Sequence, residues 1–251
     1  MRRLVYQVKV GETPGFYDVC IASVAEYCER HGLDHVVQTD PILRILPAAS
    51  QRSANALRLG YLPIYEKAAA LGYLDRYEQV AILDADVYAR PGAPCIFDEL
   101  TTTFAAVPER DMPLNSTYRD KVRKYSEGQY RTLDDVEWNW TRDGADFCNM
   151  GVMLFGDLRP YLDGQTPGEF LRRPEFARFV NGEGHWRWST DQTLLNWWIR
   201  KAGIPRQALD WRWNALYGAV TDVHEAYFIH FFLAAKMARG GEEIPELIRR
   251  L

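Results

Sequence analysis

The chain has 251 residues, of which 47% are hydrophobic and 25% charged, with a formal net charge of −4. That is the composition of a globular protein with one large domain or two small ones. The weak negative charge gives no electrostatic basis for binding nucleic acid or an anionic membrane surface, and no apolar run reaches the 18 residues of a transmembrane helix. The first residues carry no secretory apolar region and go straight into a strand-like run. Cys20, Cys28, Cys95 and Cys148 form no C-x-x-C pair, so they read as thiols of a protein in a reducing cytoplasm. All eight tryptophans lie between Trp138 and Trp213, which points to a surface built by the second half.

Residues 4–10 read as strand 1 and residues 17–30 as an amphipathic helix ended by Gly32. Residues 35–39 read as a second strand. Residues 53–70 predict a long helix with Ser53 as its cap, kinked or divided at Pro63. Val80-Ala-Ile-Leu83 is short and wholly apolar, as a buried strand is. Alternating strands and helices over the first ninety residues predict an α/β fold with a mostly parallel central sheet flanked by helices. Residues 104–107 suggest another strand. Residues 113–146 are polar and without apolar periodicity, so they predict a long functional or mobile loop. Residues 147–155 read as a buried strand, 166–180 as a helix, and 181–184 as a turn. A helix starts near Thr190 or Asp191. Residues 210–214 suggest a short strand and turn, 227–231 a last apolar strand, and 242–251 a terminal helix.

The chemistry starts at Asp84-Ala85-Asp86, directly after the third strand. Ligands of open α/β sheets sit at the carboxyl ends of strands. Two carboxylates there need a cationic partner, and carboxylate oxygens suit Mg²⁺ or Mn²⁺. Two solvated turn aspartates would give the same pattern. Three further features follow in order: Asn149-Met-Gly-Val-Met-Leu154, then Asp191-Gln192 before Leu195-Asn196, then His230 six residues before Lys236.

This series resembles the GT-A glycosyltransferases, and most closely glycosyltransferase family 8, the group of glycogenin and bacterial lipopolysaccharide galactosyl- and glucosyltransferases. That family shows D-x-D, N-x-G-V-x-L, D-Q-D-x-L-N and a late H-[FY]-x-G-x-x-K-P-W. The likeness runs over residues 58–236. It departs at Thr193 in place of the second aspartate of D-Q-D, at Leu233 in place of glycine, and at Met237-Ala238 in place of Pro-Trp.

The resemblance implies a single GT-A domain over 1–251, with a nucleotide-sugar half (1–100) and an acceptor half with a C-terminal closing segment (101–251). Gly240-Gly241, shortly after Lys236, is well suited to a hinge for that segment. It implies Mn²⁺ or Mg²⁺ held by Asp84, Asp86 and His230, and a UDP-hexose donor bound by Tyr6, Val8, Arg58, Asp84, Ala85, Asp86, Asn149, Gly151, Asp191, Gln192 and Lys236. Gln192, Asp191 and Asn149 would act at the reacting face. The acceptor would be a glycan or another hydroxyl compound, with Trp138, Trp140, Trp186 and Trp188 shaping its side. No transmembrane segment is implied, and a peripheral membrane association stays open. Retention of configuration is the family's outcome. An inverting enzyme with Glu137 or Asp143 as base is one alternative. A nucleotidyltransferase is another, although Val10-Gly-Glu-Thr-Pro-Gly15 lacks the basic residue a triphosphate loop needs.

Overall fold

The computed structural model describes residues 2–47, 59–188, 191–232 and 243–250; for 187–188 it describes the backbone. Ser53, Arg58, Thr190, Leu233, Lys236, Met237-Ala238 and Gly240-Gly241 lie outside these residues, as does the side chain of Trp188.

The strands are β1 (Arg3–Val8), β2 (Asp34–Gln38), β3 (Gln79–Asp84), β4 (Val87–Ala89), β5 (Phe104–Pro108), β6 (Trp140–Thr141), β7 (Gly144–Ala145), β8 (Cys148–Phe155), β9 (Arg206–Ala208), β10 (Ala215–Leu216) and β11 (Phe228–His230). Among the described residues, the α-helices with both ends defined are α1 (Phe16–His31), α2 (Ser116–Tyr130), α3 (Pro167–Leu171), α4 (Ala177–Asn181), α5 (Asp191–Lys201) and α6 (Ile244–Ile248). Six strands form the central sheet in the order β2-β1-β3-β8-β5-β9. β1 pairs in parallel with β2 and β3, and β5 with β9; β8 runs against both β3 and β5. The sheet is thus mostly parallel with one reversed strand. Residues 80–83 and all of β8 are buried, as expected of strands covered on both faces. A second sheet, β10-β11-β4, stands beside it.

Four expectations change in the structure. Residues 211–214, expected as part of a short strand and turn, form a 3₁₀ helix capped by the Asp210 side chain. The stretch after Pro63 is not α-helical: Pro63 opens the separate 3₁₀ helix Pro63–Tyr73, where its missing N–H costs no hydrogen bond. Residues 113–146 are not one loop, because α2 lies inside them, with the Asn115 side chain accepting from the Tyr118 N–H at 2.9 Å. The face α2 buries is Val122, Ser126, Gln129 and Tyr130. The helical spacing is there, but half of the buried residues are polar, so a search for apolar periodicity misses it. The helix expected over 166–180 is broken into α3, a 3₁₀ turn (Pro174–Phe176) and α4, because Pro174 cannot continue the α3 hydrogen-bond ladder. The four cysteines form no disulfide.

Two local devices fix the edge of the sheet where the site forms. Pairing of β5 with β8 jumps from Ala106↔Met153 to Val107↔Asn149, so the start of β8 bulges away from its partner. The amide of Asn196 on α5 then serves as a substitute strand partner. Its Oδ1 accepts from the Cys148 N–H and its Nδ2 donates to the Cys148 carbonyl, both at 2.8 Å. Asn196 is buried, so Asn196→Leu leaves two backbone groups unsatisfied. The expected cost is roughly 2–4 kcal/mol in urea unfolding.

Candidate metal and donor site

β3 carries Asp84 to its carboxyl end, and the turn at 85–86 passes the chain into β4 of the second sheet. Val8 pairs with Asp84 in the sheet register, and the Gln7 amide donates to the Asp84 carbonyl at 3.1 Å. His230 ends β11 opposite Val87, and the N–H of Phe231 donates to the Asp86 carbonyl at 2.9 Å. The two sheets therefore meet at this turn. His230 Nε2 lies 3.2 Å from Asp86 Oδ1 and 3.7 Å from Asp84 Oδ2. One ligand atom from each of the three residues falls within 4.8 Å of the others. Asp86 and His230 are buried. Burial disfavours both charges, yet each partner outweighs it for the other. The Asp86 carboxyl sits below its usual range, and the His230 imidazole above its own.

The donor set suits a divalent ion. Two carboxylates and a ring nitrogen converge, and carboxylates drawn this close together, one buried and one half-buried, need a cationic partner. Lys67 meets part of that need from the other side. Its Nζ lies 2.7 Å from Asp84 Oδ1 and 2.6 Å from Asp191 Oδ2, and it donates to the Met150 carbonyl at 3.1 Å. Burial alone would lower its pKa; Asp191 and Asp84 outweigh that and raise it, so the ammonium stays charged. Lys67 is absent from the sequence expectations. A single lysine in a helical stretch reads as a solvated side chain, and only its apolar neighbours Ala68 to Ala70 hint at burial.

Gly151 has a steric reason. A Cβ there would stand 2.2 Å from His230 Cε1 and 2.5 Å from Nδ1. Asn149, two residues earlier, accepts from the Gly151 N–H and from Asn214 Nδ2, both at 2.9 Å, and donates to Glu109 Oε1 at 2.7 Å. Asn214 Oδ1 lies 3.0 Å from His230 Nδ1. Gln192 joins the same group: its Oε1 accepts from the Met150 N–H at 3.4 Å and its Nε2 donates to Glu109 at 3.5 Å. Burial raises the pKa of Glu109, and bonds from Asn149 and Gln192 oppose the rise. Glu109 and Asn214 are not legible as site residues: Glu109 opens a short charged stretch and Asn214 follows a Trp-Arg-Trp run, neither carrying a motif.

Asp84, Ala85, Asp86, Asn149, Gly151, Asp191, Gln192 and His230 are thus gathered in one region, with Val8 at its edge. Tyr6 stands apart. It is fully buried in the core, with its hydroxyl donating to Gln38. Trp138 and Trp140 are each stacked under an arginine, Arg200 at 4.1 Å and Arg131 at 4.2 Å. Trp186 packs on Phe179 and donates to the Gln129 carbonyl at 3.2 Å. Asp143 lies 3.4 Å from the Arg119 guanidinium.

No family model matches the chain, and no curated protein sequence matches it. Solved structures do. A glycosyltransferase involved in glycosylating the major capsid of PBCV-1 superimposes with a TM-score of 0.56 at 14% identity, covering 99% of this chain and all of that one. Mouse xyloside xylosyltransferase 1 gives 0.48 at 14% identity, covering 94% of this chain and 99% of that one. The galactosyltransferase LgtC, solved with donor and acceptor sugar analogues, gives 0.46 at 14% identity, covering 99% and 96%. The first of these establishes the fold, that of the GT-A glycosyltransferases.

The fit of Gly151 against His230 is directly testable. Gly151→Ala should destabilise the protein by roughly 1–3 kcal/mol, the usual range for overpacking. In a His230→Ala background most of that loss should vanish, because the clashing ring is gone. A double-mutant cycle in urea measures it.

Proposed function

We propose that the chain is a divalent-cation-dependent glycosyltransferase, one GT-A unit over 1–251, that moves a hexose from a UDP-hexose to a hydroxyl of a glycan or other acceptor with retention of configuration. The observation that carries this reading is the convergence of Asp84, Asp86 and His230 at the carboxyl end of β3, in a fold shared with a glycosyltransferase. These residues would hold Mn²⁺ or Mg²⁺, and the imidazole ligand tilts the choice toward Mn²⁺. When bound, the ion supplies Lewis-acid stabilisation of the negative charge that builds on a departing diphosphate.

The chain's own residues do the rest. Lys67 holds Asp84 and Asp191 in fixed positions and balances their charge. Lys236 is assigned to the donor diphosphate, Arg58 to gripping the donor, and Asp191 with Gly151 to the sugar. Gln192, oriented by Glu109 and the Met150 N–H, faces the reacting carbon. A neutral amide stabilises developing positive charge through its oxygen but is a poor nucleophile. Attack on the leaving-group side is then the favoured course, with the departing phosphate taking the acceptor proton. The setting is cytoplasmic. Among the described residues, no helix is long and apolar enough to cross a membrane.

Mn²⁺ should raise the melting temperature of the protein with UDP, and EDTA should abolish transfer of radiolabelled sugar. Asp86→Asn should lose most transfer activity while its melting temperature without metal stays close to wild type. Full activity of that variant would remove the metal assignment.

Gln192→Ala should reduce kcat ten- to a thousand-fold, roughly the range for loss of one electrostatic contact in the transition state, and leave UDP affinity nearly unchanged. Proton NMR of the first product from an α-linked donor should show an α-linkage. A β-linkage would make the enzyme inverting, with the same metal site and another residue acting as base.

A further inference from the structure

Asn149, Asn214 and His230 form a chain of hydrogen bonds whose direction can be read from one end. A backbone N–H only donates. The atom of Asn149 that faces the Gly151 N–H, at 2.9 Å, must therefore be its oxygen. The same oxygen faces Asn214 at 2.9 Å, so the Asn214 atom there must be the NH₂ donor. That choice turns the Asn214 oxygen toward His230 Nδ1, at 3.0 Å. Nδ1 must then carry a hydrogen. The far end agrees, because the remaining amide face of Asn149 meets a carboxylate, Glu109, at 2.7 Å. All four side chains are buried, so water cannot offer an alternative set of partners.

We propose that Asn214 is a positioning residue that fixes the Nδ1–H tautomer of His230, leaving Nε2 as the ligand atom aimed at Asp84 and Asp86, and that Asn149 and Glu109 lock the Asn214 amide in the required orientation. The inference rests on the metal site proposed above. It assigns Asn149 a role other than contact with the donor sugar: its oxygen is already occupied by two donors. It also ties the reacting-face region to the metal ligand, since Glu109 accepts from Gln192 at 3.5 Å as well. Partners of this kind behind a histidine ligand typically change metal affinity ten- to a hundredfold when removed.

The test is Mn²⁺ affinity, measured by EPR of free Mn²⁺ on nucleotide-free protein, with melting temperature recorded alongside. Asn214→Leu removes the acceptor for Nδ1–H and should weaken Mn²⁺ binding ~10–100-fold. If that variant does not fold, Asn214→Ser replaces it, since the short hydroxyl withdraws from the ring. Asn214→Asp keeps an acceptor for Nδ1–H but loses the donor to Asn149. It should melt lower than wild type and still bind Mn²⁺ within about threefold of wild type. A packing role for Asn214 would lower both melting temperatures and leave Mn²⁺ affinity unchanged; wild-type affinity in Asn214→Leu or Asn214→Ser overturns the proposal. Equal weakening in Asn214→Asp and Asn214→Leu overturns it too. Failure of the wild-type protein itself to bind Mn²⁺, with or without UDP, would instead remove the metal site and the inference with it.

Discussion

The convergence of two carboxylates and an imidazole in a largely buried corner is the constraint on which this structure depends. Like charges do not gather out of water without compensation, and His230 Nε2 stands only 3.2 Å from Asp86. Compensation comes from two directions. Lys67, itself buried, bridges Asp84 and Asp191, and the His230 ring faces Asp84 and Asp86. A buried lysine is costly unless paired with good geometry. Here it has two carboxylates and a carbonyl.

The surrounding fold serves that corner. The reversed strand β8 enters the sheet beside β3, and its bulged start places residues 149–151 next to the histidine rather than deeper in the pairing. Gly151 gives the ring its space. Asn196 ties the start of β8 to α5, which brings Asp191 and Gln192 to the same edge. The small sheet brings His230 in from the end of the chain, and the Phe231–Asp86 backbone bond holds it in place. Residues from seven separate stretches, around Lys67, Asp84, Glu109, Asn149, Asp191, Asn214 and His230, thus meet within one bonded group.

Much of this was legible in the sequence, for a physical reason in each case. Asp84 and Asp86 directly follow an apolar strand, so their location at a strand end follows from local pattern. His230 stands out as a titratable residue in an apolar run. The parallel sheet follows from alternating strand and helix signals. Lys67 was hidden because burial of a charged side chain is decided by partners distant in sequence, here Asp84 and Asp191. Glu109 and Asn214 were hidden for the same reason. α2 escaped notice because Ser126 and Gln129 occupy its buried face, where they bond to Arg123, Thr193 and the His185 carbonyl instead of presenting an apolar stripe. The β8 bulge depends on register with β5, and no local signal encodes it.

The central claim is that the Asp84, Asp86 and His230 side chains together bind one divalent ion that also meets a nucleoside diphosphate. Crystals grown with Mn²⁺ and UDP, measured at the manganese absorption edge, test it most directly. One anomalous peak is expected among the two carboxylates and His230 Nε2, in contact with the diphosphate oxygens. UDP bound with that cluster unliganded, or manganese seated elsewhere on the protein, would contradict it.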